Sequence, residues 1–428
     1  MDFHNIKSIN GDIKIPGDKS ISHRSAIISS LIDGPVNIEN YLFSGDCIST
    51  LDVLKKLGVK ITDKGKKLIV NGCGIGRLRE PSEILEVGNS GTTMRLMSGV
   101  LAGNGFLSVL SGDSSINDRP MGRIIEPLAA MGACVYGRKN NTKAPIIMLG
   151  KKNLTGRKFD LALSSAQVKS CILLAALHAK GVTEINQPEI SRDHSEKMLE
   201  YFDADISYNG KNTKINPARK LVARDIMIPG DLSSALFVIV AVLVLKNSSI
   251  LIRDVGVNPT RSYMLDILKE MGGRINIKNE RIICNEPVAD IEVLSSNLMP
   301  ARIGIDKIPN IIDEIPILTV AAARAGGITV IRGAGELRNK ESDRLRAIGT
   351  QFNKTGIKIK ELKDGLEIRG DKDLKIKGGT TDSMGDHRIA MSLAVLSMLS
   401  EEKLIISNPE CIDTSFPGFK KTINSIAN

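Results

Sequence analysis

The order of apolar and polar positions along this chain repeats six times. In each repeat a polar segment rich in Gly, Ser or Asp precedes an apolar run of helical length, and a turn then leads into a segment of alternating apolar residues. A period of two with many β-branched residues predicts a half-buried strand after each helix. The predicted strands read PVNIENY, GFLSVLS, GVTEINQ, SILIRDV, GITVIRG and KLIISNP.

Most of these strands are followed by a second helix with one apolar face. Leu, Ile and Met recur there at three- and four-residue spacing before a Gly or Asp turn. The repeating unit is therefore helix, strand, helix, strands, and successive units begin roughly 65 to 80 residues apart, which is longer than a solenoid repeat. The second helices lie in STLDVLKKLGVKI, RIIEPLAAMGACV, SEKMLEYFDADI, SYMLDILKEMGGRI and SDRLRAIGTQFNKTGIKI.

The first and fourth units begin with nearly the same segment, at residues 15–20 and 228–233. A chain of 428 residues is also too long for a single core. We therefore predict an α/β protein of two domains, each of three repeated α/β subdomains. Residues 18–229 are assigned to the first domain, and residues 1–17 plus 230–428 to the second. The strand at residues 6–15 precedes the first helix just as another strand precedes the fourth, so we expect the chain to cross between the domains twice.

The formal charge of +10 and a pI near 9.2 indicate anionic partners. Aromatic residues make up 3% of the chain and Trp is absent, so the stacking surfaces of single-stranded nucleic-acid binders are nearly missing. The basic residues are also scattered, without a long run. A basic nucleic-acid-binding protein, which needs an electrostatic stripe, is therefore kept only as the alternative from a different class.

The cysteines are far apart, without a CxxC pair or a His at metal spacing, so we expect reduced thiols and no metal site. The N-terminal sequence MDFHNIKSING lacks the apolar stretch of a signal peptide. The longest apolar run, at residues 235–245, is too short to span a bilayer. We therefore expect a cytoplasmic protein that binds neither a membrane nor nucleic acid.

The polar openings of the six apolar helices are candidate anion sites. A helix N-terminus presents unpaired N–H groups and the positive end of the dipole, although ordinary capping explains any single Ser or Asp found there. Lys19 and Arg24 lie near one such end, where cations oppose the dipole unless an anion binds. The same argument applies to Arg388 and to Arg119, which precedes another helix. The openings are residues 19–20, 89–92, 164–167, 231–234, 313–314 and 385–388.

Residues 340–344, KESDR, alternate in charge. Lys340 and Arg344 are four residues apart and would share one face of a helix. On its own this pattern is typical of an exposed helix laced with salt bridges. A resemblance to a known family favours the other interpretation, in which these cations bind a ligand.

Seven successive segments resemble the signatures of the 5-enolpyruvylshikimate-3-phosphate (EPSP) synthase family. The resemblance covers essentially the whole chain, and SAQVK together with RDHSEKML is similar to the class II branch of that family. It implies the enolpyruvyl transferase fold, whose two domains of three repeated subdomains agree with the six units. The segments are GDKSISHR (17–24), GNSGTTMR (88–95), DRPMGRI (118–124), SAQVKS (165–170), DEIPIL (313–318), KESDRL (340–345) and GDHRIAM (385–391).

The resemblance implies an enzyme of the shikimate pathway, a 3-phosphoshikimate 1-carboxyvinyltransferase, with its active site in the cleft between the domains. The enolpyruvyl group of phosphoenolpyruvate (PEP) would move to the 5-hydroxyl of shikimate-3-phosphate with loss of phosphate, without a metal or organic cofactor. We expect the chain to act as a monomer. The residues implied for shikimate-3-phosphate are Lys19, Ser20, Arg24, Ser165, Ala166, Gln167, Ser191, Arg192, Asp313 and Lys340.

For PEP the resemblance implies guanidinium groups, which suit carboxylate and phosphate oxygens. Asp313 would take the proton from the 5-hydroxyl, Glu341 would protonate the PEP methylene carbon, and Lys19 would contact both substrates. Asp313 must then be ionised and Glu341 protonated at some stage, which neighbouring cations and burial can arrange. The implied PEP residues are Lys19, Asn89, Gly91, Arg119, Gln167, Arg344 and Arg388.

The nearest alternative is the UDP-N-acetylglucosamine enolpyruvyl transferase family, which shares the repeated fold and also uses PEP. Members of that family typically carry a reactive Cys in the loop before the Arg-Pro helix, whereas residues 112–118 here contain none. Thr414 departs from the EPSP synthase pattern, because class I members carry a Lys there that contacts the PEP phosphate. We expect that contact to be absent. The GxGxG string at residues 72–76 is predicted to be a strand turn, because no helix follows it.

Overall fold

The computed structural model describes residues 1, 3–65, 67–150 and 153–428. Within this part, the chain divides into two compact units. The first lobe consists of Gly17–Pro229 with Ile282–Glu286, and the second lobe consists of Met1–Pro16, Gly230–Arg281 and Pro287–Asn428. Gly17 and residues 282–286 thus belong to the first lobe, whereas the boundaries drawn from the sequence had assigned them to the other domain.

The helices follow the order expected from the repeats. We number those of the described residues α1 to α15 along the chain, and short 3-10 helices lie at Ile312–Glu314, Gly335–Asn339 and Pro409–Thr414. The α-helices are α1 Lys19–Ser30, α2 Gly45–Lys56, α3 Gly91–Ala102, α4 Ser114–Asp118, α5 Gly122–Ala130, α6 Arg138–Asn141, α7 Ala166–Ala176, α8 His194–Tyr201, α9 Leu232–Val244, α10 Pro259–Glu270, α11 Ile308–Ile311, α12 Ile315–Ala323, α13 Arg344–Ala347, α14 His387–Met398 and α15 Phe419–Asn424.

The strands are short and are numbered in the same way. They are β1 Asn10–Lys14, β2 Asp33–Glu39, β3 Lys60–Asp63, β4 Lys67–Cys73, β5 Leu85–Glu86, β6 Leu107–Ser111, β7 Val135–Gly137, β8 Lys143–Leu149, β9 Leu154–Thr155, β10 Lys158–Asp160, β11 Ala179–Lys180, β12 Thr183–Asn186, β13 Ile206–Tyr208, β14 Asn212–Ile215, β15 Ile226–Met227, β16 Ser249–Gly256, β17 Arg274–Ile283, β18 Glu286–Leu294, β19 Arg302–Ile303, β20 Gly327–Ile331, β21 Lys358–Leu362, β22 Gly365–Gly370, β23 Gly379–Asp382 and β24 Leu404–Ser407. Each of the six strands predicted from alternation is present, as β2, β6, β12, β16, β20 and β24.

One sheet pattern recurs through both lobes. In the second subdomain, β5 pairs with β6 in parallel, and β8 then pairs antiparallel with both β6 and β7. A parallel pair needs a crossover connection, and α3 supplies it here. The sixth subdomain retains the parallel pair β23–β24 around α14. The corresponding four-stranded orders in the described residues are β15-β2-β4-β3, β5-β6-β8-β7, β10-β12-β14-β13, β1-β16-β18-β17 and β19-β20-β22-β21.

In each lobe, the strand that precedes the first central helix along the chain belongs to a sheet of the other lobe. β1 pairs in parallel with β16, from Asn10 opposite Ser249 to Lys14 opposite Arg253, and so belongs to a sheet of the second lobe. β15 pairs in parallel with β2, which places Ile226 opposite Ile38 in the first lobe. The chain therefore passes from one lobe to the other after Pro16 and again after Pro229, at the two nearly repeated segments.

Each lobe has its own core built around buried helices. In the second lobe α9 packs against α12 and α14, and every residue of α9 is buried. A helix that is apolar on all sides can be accommodated only in the interior. In the first lobe the corresponding helices are α1, α3 and α7, and α3 packs closely against α7.

The starts of these central helices lie where the sequence predicted them. The side chain of Asp18 accepts from the Ile21 N–H at the start of α1, and the same kind of cap is made by Ser90 at α3, Ser165 at α7, Asp231 at α9 and Asp386 at α14. The helix α12 is instead entered through the 3-10 helix Ile312–Glu314. The long helix predicted after β20 is different, because α13 ends at Ala347 and a π-helical turn, Ile348–Phe352, follows.

None of the helices in the described residues is long and apolar enough to cross a membrane.

Two glycines mark equivalent close contacts between a central helix and its sheet. A Cβ at Gly370, the last residue of β22, would lie 2.1 Å from the carbonyl oxygens of Ala322 and Ala325 at the end of α12. A Cβ at Gly72 in β4 would lie equally close to the carbonyl oxygens at the end of α1. Only a residue without a side chain allows this approach of backbone to backbone.

We predict that Gly370→Ala destabilises the second lobe, because a methyl group there forces backbone atoms apart. The expected loss is about 1–3 kcal/mol in the free energy of unfolding, measured as a lower urea midpoint. Gly335→Ala is the matched control, since a Cβ at Gly335 would meet nothing within 4 Å. Equal midpoints for the two variants would show that the contact is not tight.

Candidate active site

In the first lobe, Arg24 is the buried cation that joins the starts of the central helices. Its Nε donates to Ser195 Oγ at 2.7 Å, its Nη2 donates to Ser170 Oγ at 2.9 Å, and its Nη1 donates to the Ser20 carbonyl at 3.0 Å. Burial lowers the pKa of Arg24 to about 10, so the guanidinium is still charged at neutral pH. A fixed positive charge therefore lies at the N-terminal end of α1.

Lys19, the first residue of α1, forms an ion pair with Asp46 at 2.5 Å. The two side chains are about one-fifth exposed, so a ligand can reach the ammonium group. Asp46 lies in the first turn of α2. The carboxylate thus compensates a cation that would otherwise oppose the dipole of α1.

A second group of polar side chains lies at the start of α3. A Cβ at Gly91 would lie 3.0 Å from Arg119 Nη1 and 2.8 Å from Arg95 Nη1, so both guanidinium groups approach the backbone there. Arg95 Nη1 donates to Gln167 Oε1 at 2.6 Å, and Gln167 Nε2 donates to Thr92 Oγ1 at 3.1 Å. Gln167 is in the first turn of α7, so this network ties two helix starts together.

Asn89 contributes to the same region from the turn before α3. Its Nδ2 donates to Asp113 Oδ2 at 2.7 Å, and Asp113 caps the short helix α4. Arg119 directly follows α4, and α5 begins three residues later, at Gly122. Arg119 is therefore positioned by the end of α4 rather than by the start of α5.

The start of α7 faces the loop before α8. Ser165 caps α7, and Ser170 Oγ donates to the Ala166 carbonyl at 2.6 Å. In the loop, Ser191 Oγ donates to Gln187 Oε1 at 2.7 Å. Arg192 lies close enough to Arg24 for its charge to lower the pKa of that residue, after the larger effect of burial.

In the second lobe, Asp313 accepts from two cations. Its Oδ1 lies 3.0 Å from Lys340 Nζ and 3.2 Å from Arg344 Nη1. Arg388 Nη1 donates to the Asp313 backbone carbonyl at 2.6 Å. The 3-10 helix before α12, the segment before α13 and the start of α14 are thus joined at Asp313, through its carboxylate and its backbone carbonyl.

Arg344 is the most deeply buried cation of this group, with its side chain 1% exposed. Its Nη2 lies 2.6 Å from Glu341 Oε2, and its Nε lies 2.7 Å from Asp386 Oδ2. Burial disfavours the charged form of Arg344, but Asp386, Glu341 and Asp313 outweigh burial and raise the pKa above its ordinary value. The guanidinium is therefore a permanent cation.

The exposed-helix interpretation of residues 340–344 is wrong. Lys340 lies before the helix, and α13 begins only at Arg344. The two cations meet at the carboxylate of Asp313 instead of sharing a helical face with exposed acids.

The predicted site residues fall into two groups, one in each lobe. The first-lobe residues are Lys19, Ser20, Arg24, Asn89, Gly91, Arg119, Ser165, Ala166, Gln167, Ser191 and Arg192, and the second-lobe residues are Asp313, Lys340, Glu341, Arg344 and Arg388. Thr414 makes a local bond, from its Oγ1 to the Cys411 carbonyl at 2.7 Å.

Sequence reasoning missed the residues that hold the cations in place. Asp46 pairs with Lys19, and Asp386 pairs with Arg344. Ser170 and Ser195 accept hydrogen bonds from Arg24 and so orient it. Arg95 could have been found, because it lies four residues after Gly91 and so on the same face of α3.

A buried histidine next to Arg24 takes part in a chain of hydroxyl groups. His23 Nδ1 lies 2.7 Å from Thr50 Oγ1, and Thr50 Oγ1 lies 2.6 Å from Thr93 Oγ1. The chain links α1 to α2 and α3. Burial lowers the pKa of His23 to about 3, so the imidazole is neutral in the folded protein.

Comparison with known proteins gives consistent matches along the whole chain. The family model described as EPSP synthase (3-phosphoshikimate 1-carboxyvinyltransferase) matches residues 3–423. A 3-phosphoshikimate 1-carboxyvinyltransferase from Petrotoga mobilis is 49% identical over 423 residues, covering 98% of each chain.

Solved structures give the same result. EPSP synthase from Acinetobacter baumannii superposes with a TM-score of 0.89 at 38% identity, covering 100% of this chain and 97% of that one. The enolpyruvyl transferase NikO from Streptomyces tendae superposes with a TM-score of 0.79 at 16% identity, covering 100% and 97%. The second likeness concerns the fold alone.

We predict that His23 makes the first lobe less stable as the pH falls. An unfolded chain binds a proton at His23 near the ordinary pKa of 6.5, whereas the folded chain resists it until about 3. The unfolded state therefore binds more protons between these values, and the free energy of unfolding falls with pH by up to about 1.4 kcal/mol per unit. In urea titrations between pH 7.5 and 5, His23→Gln should reduce this slope by the contribution of one proton, up to about 1.4 kcal/mol per pH unit.

His4→Gln serves as the control for that measurement. If His23→Gln and His4→Gln gave the same pH dependence as the unchanged chain, His23 would not be the neutral buried group.

Proposed function

The chain belongs to the EPSP synthase family, and from that premise we propose that it transfers the enolpyruvyl group of PEP to the 5-hydroxyl of shikimate-3-phosphate. Phosphate is released, and the product serves the shikimate route to aromatic amino acids. The observation that carries the proposal is the carboxylate of Asp313 held between Lys340 and Arg344, a base set among cations. One chain supplies every residue that the reaction needs, so we propose that a monomer is active.

Shikimate-3-phosphate is assigned mainly to the first lobe. Arg24 supplies a fixed charge, and the hydroxyl of Ser165 stands at the start of α7, where unpaired N–H groups favour a phosphate. Ser191 and Arg192 lie in the loop before α8, and the charge of Arg192 affects the pKa of Arg24. Ser20, Ala166 and Gln167 complete the set around the ring, and Lys340 is assigned to the same substrate.

PEP is assigned to a set of residues in which guanidinium groups predominate. Arg119 approaches the backbone at Gly91, where the absence of a side chain leaves room for its guanidinium group. Arg344 and Arg388 provide planar donors suited to a carboxylate or phosphate. Asn89 and Gln167 supply neutral donors, and Lys19 touches both substrates.

Asp313 is the base of the proposed reaction. Lys340 and Arg344 stabilise its negative charge, so the carboxylate is held in the ionised form that a base requires. As Asp313 takes the proton of the 5-hydroxyl, the oxygen attacks the second carbon of PEP and forms the new C–O bond. Lys19 and the arginines stabilise the charge of the adduct.

Glu341 is the acid. The double bond of PEP can accept the attacking oxygen only if its methylene carbon gains a proton, and Glu341 supplies it. The Glu341 carboxylate then takes a proton back from that carbon as the C–O bond to phosphate breaks, which restores the double bond in the product. The proton held by Asp313 passes to the departing phosphate, so both carboxyl groups return to their starting states.

The contact between Glu341 and Arg344 explains how the acid becomes protonated. Arg344 Nη2 lies 2.6 Å from Glu341 Oε2 and stabilises the charged form of that carboxyl group. A PEP carboxylate that takes over this donor removes the stabilisation and places a second negative charge nearby. Both changes favour the protonated carboxyl group.

We predict that the purified protein releases phosphate from PEP only when shikimate-3-phosphate is present. A parallel reaction with UDP-N-acetylglucosamine as acceptor should release none, and the specific activity should not change as the enzyme is diluted if the monomer is active. Phosphate release is measured by a coupled colorimetric assay. Activity with the nucleotide sugar alone would overturn the proposed acceptor.

We predict that Lys19→Ala and Glu341→Ala each lower kcat by about 10²–10⁴-fold, because one removes a charge at the adduct and the other removes the acid. Both variants should keep the thermal midpoint of the unchanged protein within a few degrees. Lys55→Ala is a matched control, since Lys55 is half-exposed and pairs only with Asp52 among the contacts described. A near-normal kcat in either site variant would remove that residue from the mechanism.

A further inference from the structure

The first turn of α8 is buried and supports residues that we propose to bind shikimate-3-phosphate. Its residues His194, Ser195 and Glu196 follow one another, and each is at most 2% exposed. Ser195 accepts from Arg24 at 2.7 Å. Glu196 Oε1 lies 2.5 Å from Lys169 Nζ, which also donates to the Ser191 carbonyl at 3.4 Å. The turn thus supports Arg24 on one side and the loop of Ser191 and Arg192 on the other.

His194 is held by a residue from far along the chain. Its Nδ1 lies 2.7 Å from Glu286 Oε1, and the two side chains are 2% and 6% exposed. Glu286 begins β18, whose strand order places it in a sheet with β1, β16 and β17. That sheet belongs to the second lobe, whereas residues 282–286 belong to the first.

The geometry of the turn between β17 and β18 delivers Glu286 to this position. Cys284 and Asn285 form a two-residue connection with φ values of 49° and 63°. Left-handed residues at both central positions are typical of the tight turns that close a hairpin. Asn285 Nδ2 also donates to Glu200 Oε2 at 3.3 Å and to the Lys197 carbonyl at 3.4 Å. The tip is therefore fixed to α8 by several polar contacts.

We propose that Glu286 is a positioning residue for the shikimate-3-phosphate half of the site, acting through His194 on the first turn of α8. This inference rests on the proposed function. Burying a polar pair is costly, and two apolar side chains would pack a hairpin tip against a helix equally well. The bond between Glu286 and His194 instead fixes the orientation of the first turn of α8, which carries Ser195.

The charge of Glu286 also acts on Arg24. Burial has the largest effect and lowers the pKa of Arg24, Glu196 and Asp18 raise it, Arg192 lowers it, and Glu286 raises it by the smallest amount. Loss of Glu286 therefore loosens the support of Arg24 and weakens its charge compensation together. Of the PEP residues in the same lobe, Gly91 begins α3 and Arg119 directly follows α4, so neither lies on this turn.

The test is a comparison of Michaelis constants in three variants. We expect Glu286→Ala to raise the KM for shikimate-3-phosphate about tenfold, and Glu286→Gln, which keeps an acceptor for His194, to raise it about threefold. The KM for PEP and kcat should stay within about twofold of the unchanged enzyme. Glu292→Gln is the matched control, because Glu292 lies on the same strand and pairs with Lys278 at 2.8 Å on an exposed surface.

An unchanged KM for shikimate-3-phosphate in Glu286→Ala, or equal rises in both Michaelis constants, would overturn the proposal. If Glu286→Ala does not fold, an unchanged KM in Glu286→Gln has the same consequence. Hydrogen exchange without any ligand provides a readout apart from activity, and residues 187–196 should exchange faster in Glu286→Gln than in Glu292→Gln. Equal exchange would also contradict the positioning role.

The two proposals fail in different ways. If the unchanged protein did not release phosphate with shikimate-3-phosphate, the proposed function would fall, while the exchange measurement would still report whether Glu286 orders the turn. If the unchanged protein is active and the variants match the control, only the role of Glu286 is lost.

Discussion

The structure depends on keeping cations at the positive ends of buried helices before any substrate is present. Such charges oppose the helix dipole and lose their hydration, so each needs a carboxylate or a set of hydroxyl groups within the protein. Arg344 has Asp386, Glu341 and Asp313. Lys19 has Asp46, and Arg24 has the hydroxyls of Ser170 and Ser195. These partners hold the donors in place, so an arriving anion meets an arrangement that is already ordered.

Equivalent helix starts have different roles in the repeated subdomains. At α9 the capping residue Asp231 pairs with Arg261 at 3.2 Å, and both side chains are about 5% exposed. The capping carboxylate of that helix start is thus engaged in a buried ion pair within its own lobe. At α14 the capping residue Asp386 instead holds Arg344, and the first turn of the helix carries Arg388. Duplication supplied a common framework, and the choice of partner decides which positions bind a ligand.

Local patterns in the sequence predicted the strands, the central helices and their starts, because a period of two or a polar opening is contained in a few neighbouring residues. The cations of the candidate site could be picked out for the same reason, with the family resemblance supplying their roles. Partners from distant segments could not. Nothing local marks Ser195 as the acceptor for Arg24, 171 residues away, or Glu286 as the partner of His194. The alternating charges of residues 340–344 misled for a related reason, since the acid that Lys340 and Arg344 share is Asp313, in another segment.

The pairing of β1 with β16, and of β15 with β2, has a consequence for how the protein must be made. On the ribosome, β1 emerges first but has no partner until β16 follows, more than two hundred residues later. The sheet of β2 likewise waits for β15. During that interval a nascent strand edge is open to pairing with other chains. A break in the polypeptide after Pro229 would leave the second lobe without β1, so this lobe needs residues from both ends of the sequence to complete its sheet.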